Sequence, residues 1–156
     1  MAKRYLTLAA DGSLAVTEIS GDDADGSVAV GYQALANLQT GAGNVAIGYQ
    51  ALTLQTDGGS NTVIGYQAMD VADAGESHNT VMGYSAGGSI NNGGSDDNVF
   101  IGALCGTGGT GALIGNIAIG KQAMDATGSN AQTGTIAIGH QALSALTSGA
   151  GITLGI

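Results

Sequence analysis

A ten-residue stretch recurs along most of the chain and constrains its fold more than any other feature. Its clearest copy occupies residues 43–52, with the sequence GNVAIGYQAL. Related copies begin at positions 26, 60, 78, 97, 115 and 134, and a truncated copy covers 151–155. The glycines that follow the apolar triplets lie 16 to 19 residues apart and are Gly31, Gly48, Gly65, Gly83, Gly102, Gly120, Gly139 and Gly155. A repeat of this period is typical of a solenoid.

The uneven spacing favours β-coils over helical repeats, because loops between short strands can differ in length while the strands stay in register. We therefore predict an all-β fold, a parallel β-solenoid of about eight coils over residues 26–156. Residues 1–25 lie outside the repeat. Two alternating segments flank Asp11 and Gly12, a pair that favours a tight turn, so we expect a small N-terminal hairpin or cap.

Composition narrows the functional classes. The chain has 156 residues, with 29 Gly, no Pro and a net charge of −9 from 12 acidic and 3 basic residues. This balance does not favour nucleic acid as a partner, since phosphate binding needs a basic surface. The single cysteine permits no intrachain disulfide. Asp11 interrupts the short apolar run near the N-terminus, so neither a secretion signal nor a membrane partner is expected.

Alternation along the strands predicts which side chains share a face. The residue before each glycine is always apolar, and the residue two positions earlier is apolar or threonine. We expect both columns to face the core. They are Val30, Ile47, Ile64, Met82, Ile101, Ile119, Ile138 and Leu154, and Val28, Val45, Thr62, Thr80, Val99, Ile117, Ile136 and Ile152.

The column between them then points outward. It is small and apolar, which is unusual for a surface in water. Either it packs against another layer of the same coil or a second subunit covers it, and we predict the second. The expected interface residues are Ala29, Ala46, Val63, Val81, Ala118 and Ala137. Phe100 shares this column, and its size has no explanation from the sequence.

Two polar or aromatic columns accompany each coil. Asparagine recurs four residues before the glycine, where stacked amides would form a ladder. Tyrosine follows the glycine in four successive coils, which favours a stacked ladder, although a subunit interface and a sugar-binding face are alternatives. The residues are Asn44, Asn61, Asn79, Asn98 and Asn116, and Tyr32, Tyr49, Tyr66 and Tyr84.

The segment Asn-x-Ala-Ile-Gly, at 44–48 and 116–120, resembles the head repeat of trimeric autotransporter adhesins, and related repeats occur in phage fibre and virion proteins. The resemblance covers residues 26–155. It implies a left-handed parallel β-roll and a homotrimer in which three rolls pack side by side. The coil intervals here are longer than in the family's short head repeat, and the YQAL extension is a feature of this chain.

Chemical motifs give little support for catalysis. The glycine pattern at 106–111 lacks a crossover helix, and the loop at 115–121 is followed by Gln122, where phosphate binding requires Ser or Thr. Cys105 replaces alanine in a small-residue column, so we expect a packed thiol. The acidic clusters 22–25, 70–76 and 96–97 are interpreted as solvated loops, with calcium binding as the alternative. We expect a non-enzymatic protein with no cofactor and no metal.

Two functional classes remain. The first is a structural virion protein, either a phage capsid decoration (cement) protein or a fibre protein, whose partners are its own copies and the major capsid or another virion protein. The second is a receptor- or glycan-binding adhesin head on a tail fibre or on a bacterial cell surface. The absence of a secretion signal favours the virion. Lys3, Arg4 and Tyr5 are the expected docking residues, because this end is basic in an otherwise acidic chain.

Overall fold

A computed structural model describes residues 3–8, 14–19, 26–73, 75–108, 110–145 and 152–154, and no helix occurs among them. The first two segments and the last are described by their backbone. The strands are β1 (Lys3–Leu8), β2 (Leu14–Ile19), β3 (Val28–Val30), β4 (Val45–Ile47), β5 (Thr62–Ile64), β6 (Thr80–Met82), β7 (Val99–Ile101), β8 (Leu113–Ile114), β9 (Ile117–Ile119), β10 (Gln132–Thr133), β11 (Ile136–Ile138) and β12 (Ile152–Leu154).

Eight of these strands form one parallel sheet in the order β3-β4-β5-β6-β7-β9-β11-β12. Equivalent repeat positions pair directly, as Ala46 does with Ala29 and with Val63. The predicted parallel β-solenoid is confirmed. The expected eight coils correspond to eight strands, while the seven described glycines from Gly31 to Gly139 bound six complete turns.

Two smaller sheets complete the described structure. Strands β8 and β10 pair in parallel and form a second short ladder just before Asn116 and Thr135. Strands β1 and β2 pair antiparallel from Lys3 with Ile19 to Leu8 with Leu14. The predicted N-terminal hairpin is therefore present, and its connection at 9–13 lies outside the described residues.

The glycine after each strand is required by close backbone approach. Gly48 has φ +140°, and a Cβ atom there would fall on the carbonyl oxygen of Gly65 in the next coil. The return that follows uses two left-handed residues per coil, as at Gln50 (φ 54°) and Leu52 (φ 55°). Backbone hydrogen bonds between successive coils hold this return in register. For example, Leu52 N donates to Ala68 O at 3.0 Å.

The orientation predicted for the strand side chains is wrong. The middle column, from Ala29 to Ala137, is fully buried inside the roll, and the two flanking columns lie on the outside. The interior of each coil is narrow, so small side chains fit in the strand while larger ones enter from the return. The return supplies Leu35, Leu52, Met69 and Met124, together with the small column Ala34, Ala51, Ala68, Ala86, Cys105, Ala123 and Ala142.

The predicted asparagine ladder is confirmed. Each ladder amide is buried, and Asn79 Oδ1 accepts from both the backbone N (3.1 Å) and Nδ2 (2.9 Å) of Asn98. Its own Nδ2 donates to the Ser95 carbonyl in the same coil at 2.8 Å. At the ends, Ser27 Oγ accepts from Asn44 N at 3.1 Å, and Thr135 N donates to Asn116 Oδ1 at 2.9 Å. The ladder thus ties each strand to its neighbours and to the loop that leads into the next strand.

Candidate functional site: an exposed apolar sheet face

The outer face of the main sheet is apolar and open to solvent. We call it the apolar face. Its most exposed members leave 36% to 45% of their surface uncovered and are Val28, Ile47, Met82, Ile117, Ile119 and Ile138. The other described members of the two columns include Val30, Thr62 and Thr80. The remaining five are half-buried and are Val45, Ile64, Val99, Ile101 and Ile136. The face therefore consists of adjacent side chains from β3 to β11 of the main sheet.

The geometry of the face follows from the solenoid. The side chains of seven strands of the main sheet, from β3 to β11, are described, and at about 4.8 Å spacing they make the face about 29 Å long and two side chains wide. Contiguous apolar surface of this kind is uncommon on monomeric proteins and marks a place where something else packs. β-Branched side chains also make the face stiff, since their χ1 angles are restricted.

The tyrosines that follow the glycines in four successive coils form one ladder. The ring centroids of Tyr32, Tyr49, Tyr66 and Tyr84 are 5.3, 5.0 and 5.6 Å apart in succession, with interplanar angles of 9° to 21°. Because each inner ring stacks on two others, the inner rings present edges to solvent. The structural-ladder interpretation is confirmed, and a sugar would find an open ring face only at an end of the stack.

A glutamine ladder runs beside the tyrosines. Gln50 Nε2 donates to Gln33 Oε1 at 2.8 Å, and Gln67 Nε2 donates to Gln50 Oε1 at 3.1 Å. The pattern stops at Ser85, which replaces glutamine in the next coil. These bonds fix the left-handed residues next to the tyrosines, so they support the ring stack.

The residues predicted as a subunit interface lie elsewhere. Ala29, Ala46, Val63, Val81, Ala118 and Ala137 have no exposed surface, because they form the interior of the roll. They cannot contact a second subunit without opening the coil, so this prediction is wrong. The signal that was available is their small size: in a narrow roll, small side chains face inward and bulky ones face outward.

The predicted docking residues Lys3, Arg4 and Tyr5 lie on β1, paired with Ile19, Glu18 and Thr17 of β2. The backbone thus places them on a hairpin at the N-terminal end of the chain. Their role as docking residues stays a prediction.

The remaining reactive groups do not assemble. Within the described residues no group of three or more His, Cys, Asp or Glu side chains is placed to hold a metal ion. Glu76 is buried while Asp73 is exposed, so the sequence cluster 70–76 is split. His78 Nδ1 lies 4.0 Å from Asp97 Oδ1, with both side chains mostly exposed.

Among the described side chains, Asp70 and Cys105 have shifted pKa values. Partial burial raises the pKa of Asp70, and a backbone hydrogen bond partly offsets this. Burial raises the pKa of Cys105 to about 12, and its Sγ donates to the Ala118 carbonyl at 3.0 Å. The prediction of a packed thiol is confirmed.

The fold and the apolar face define a class, a parallel β-solenoid with one exposed apolar sheet face. Comparison with known proteins adds no relative: no family model, no curated protein and no solved structure matches the chain. The part of the chain that the structure describes contains no helix long and apolar enough to cross a membrane.

Proposed function

We propose that this protein is a non-enzymatic structural component of a virion, a capsid decoration or fibre protein that assembles as a homotrimer through its apolar face. The observation that carries the proposal is the pair of exposed apolar columns, of which Ile47 and Ile119 are members. Its resemblance to the adhesin head repeat, shared with phage fibre and virion proteins, supports the trimer, the left-handed roll and the virion.

The shape of the face favours side-by-side assembly. It is long and narrow, so it suits a seam parallel to the solenoid axis, where three copies converge on a common line. Closed symmetry covers such a face completely and leaves no apolar surface for open-ended association. Burying an exposed isoleucine there contributes about 0.5–1 kcal/mol per side chain, because little more than a third of its surface is still exposed.

The N-terminal hairpin completes the proposal. In this proposal the N-terminal segment, residues 1–25, is the anchor that caps the first coil and offers Lys3 and Arg4 to an acidic host surface such as the major capsid protein. The end of a solenoid exposes unpaired strand edges unless something covers it, so a cap at this end has a structural purpose as well as a docking one.

Assembly is tested by light scattering combined with size-exclusion chromatography. The native chain is expected at three times its 15.1 kDa mass. Ile47→Lys and Ile119→Lys are expected to lower the mass to that of one chain while circular dichroism keeps its β-signal. Thr133→Lys, on the exposed side of β10, is the matched control and should remain trimeric. A native chain that stays monomeric at micromolar concentration would overturn the trimer.

Docking is tested separately by electron microscopy of particles. The native protein is expected to decorate them, whereas deletion of residues 1–10 or the double change Lys3→Glu and Arg4→Glu should abolish attachment. The double variant keeps the hairpin length, so it separates charge from folding. Normal decoration by both variants would refute the N-terminal site. Binding on a glycan array, without any particle attachment, would instead support the adhesin-head alternative.

A further inference from the structure

The nine asparagines of the chain fall into distinct environments. The five ladder asparagines are buried, and each is followed by Val, Thr or Ile. Their amides are held by the ladder bonds described above. Asn37, Asn91 and Asn130 are exposed and precede Leu38, Asn92 and Ala131.

Asn92 differs from all of these. It lies in an exposed loop, and it forms the sole Asn-Gly pair in the sequence, with Gly93. Its Nδ2 donates to Thr110 O and its Oδ1 accepts from Gly94 N, both at 3.4 Å, near the limit for a hydrogen bond. Only its backbone is held closely, since Ser95 N donates to Asn92 O at 2.8 Å. The amide is therefore accessible and weakly restrained.

We propose that Asn92 is a site of spontaneous deamidation. The Gly93 backbone nitrogen, after losing its proton to solvent hydroxide, attacks Cγ of Asn92. A C–N bond forms, the side-chain nitrogen leaves as ammonia, and a five-membered succinimide remains. Water then opens either carbonyl of this ring, which gives an aspartyl or an isoaspartyl residue. The sequence of steps needs water and hydroxide alone.

Two structural factors favour deamidation at Asn92 over the other asparagines: the residue that follows it and its exposure to solvent. Gly93 has no side chain to obstruct the approach of its nitrogen, and glycine reaches backbone conformations that other residues do not. In the ladder, by contrast, a β-branched neighbour hinders the same approach, and burial excludes hydroxide. Asn37 and Asn130 distinguish the effect of the following glycine from the effect of exposure, because their amides are accessible but no glycine follows them.

The modification changes the charge of an already acidic loop. Asn91, with its amide nitrogen turned toward Asp73, donates to that carboxylate at 2.7 Å. A new carboxylate at position 92 changes the net charge of the chain from −9 to −10. The isoaspartyl product also lengthens the backbone by one carbon between residues 92 and 93. The aspartyl product leaves the backbone length unchanged.

The test is incubation of the full chain at neutral and at mildly alkaline pH, followed by peptide mapping with mass spectrometry. Deamidation is expected first at Asn92, faster at the higher pH, and roughly tenfold or more slower at Asn37 and Asn130. The ladder asparagines should stay unmodified in the folded protein. Anion-exchange chromatography should show one more acidic species growing with time.

Asn92→Gln keeps an amide but places it one carbon farther from the backbone, so the acidic species should disappear. Gly93→Ala should slow its formation, and a circular dichroism spectrum checks that the fold is kept. The Asp-Gly pairs at 11–12, 25–26 and 57–58 isomerise without a mass change, so mapping distinguishes them. Equal rates at Asn92 and Asn37, or an acidic species that persists in Asn92→Gln, would overturn the proposal.

Discussion

The ring of Phe100 occupies the space that a side chain at Gly106 would need. A Cβ atom on Gly106 would lie 2.5 Å from Cγ of that ring. The same position holds a leucine or methionine in five other described coils, as in Leu52 and Met124. In this coil the large side chain is therefore on the strand, at Phe100, and the return has none, at Gly106. Gly87 and Ile90 make a similar exchange in the preceding coil, since a Cβ atom on Gly87 would lie 3.1 Å from Ile90 Cδ1.

This relationship predicts energetic coupling between positions 100 and 106. Phe100→Ala should lower the free energy of unfolding by about 3–5 kcal/mol through the cavity it leaves. Gly106→Leu should also destabilise, because its side chain meets the ring. The double variant restores the usual pairing of alanine with leucine, so it should be more stable than the sum predicts by about 1–3 kcal/mol. Urea denaturation of the four proteins measures this, and simple additivity would contradict it.

The asparagine ladder should contribute strongly to stability. Asn79→Leu removes the acceptor for two donors of Asn98 and the donor to Ser95 O, all of them buried. Each stranded polar group costs about 1–3 kcal/mol, so we expect a loss of about 3 kcal/mol or more. Thermal unfolding followed by circular dichroism measures it. Asn37→Leu, an exposed asparagine outside the ladder, is the control and should change little.

The glycines after the strands should not tolerate a methyl group. Gly83 has φ +143°, and a Cβ atom there would lie 2.5 Å from Gly102 O. Gly83→Ala should therefore destabilise by at least about 2 kcal/mol, since backbone, not a flexible side chain, is in the way. At Gly94 the nearest atom, Asn92 Oδ1, is 3.8 Å from the added Cβ. Gly94→Ala should stay within about 0.5 kcal/mol of the native protein, and equal losses in both would refute this explanation.

Cys105 should be unreactive in the folded chain. Burial raises its pKa to about 12, from a usual value of 9.0, so the folded state favours the neutral thiol. Its contribution to stability is present below the unfolded pKa and is lost as the pH rises toward the folded value. A thiol reagent at neutral pH should label the protein only in denaturant. Cys105→Ala, which copies the other coils, should fold and remain unlabelled; rapid labelling of the native protein would contradict the prediction.

The repeat was sufficient to predict the parallel sheet and its register, because the glycine after each strand permits only one alignment of neighbouring coils. It also predicted the asparagine ladder, since an amide at a fixed position in stacked coils meets its equivalents. It did not determine which strand face is inside. Alternation separates Ala46 from Val45 and Ile47, but both sets are apolar, so hydrophobicity alone cannot choose. The size of the side chains decides which face points into the roll. The large Phe100 on the strand and the missing side chain at Gly106 on the return together indicate that both positions share the interior.

Bonds between coils join residues close to one repeat apart, as Gly48 N does with Val30 O and Gly65 N with Ile47 O. Among the described residues, these bonds join each coil to its two immediate neighbours. A tensile load along the axis would meet these contacts one coil at a time. The molecule should extend in a series of similar steps, each of which releases 17 to 19 residues, rather than break in a single event.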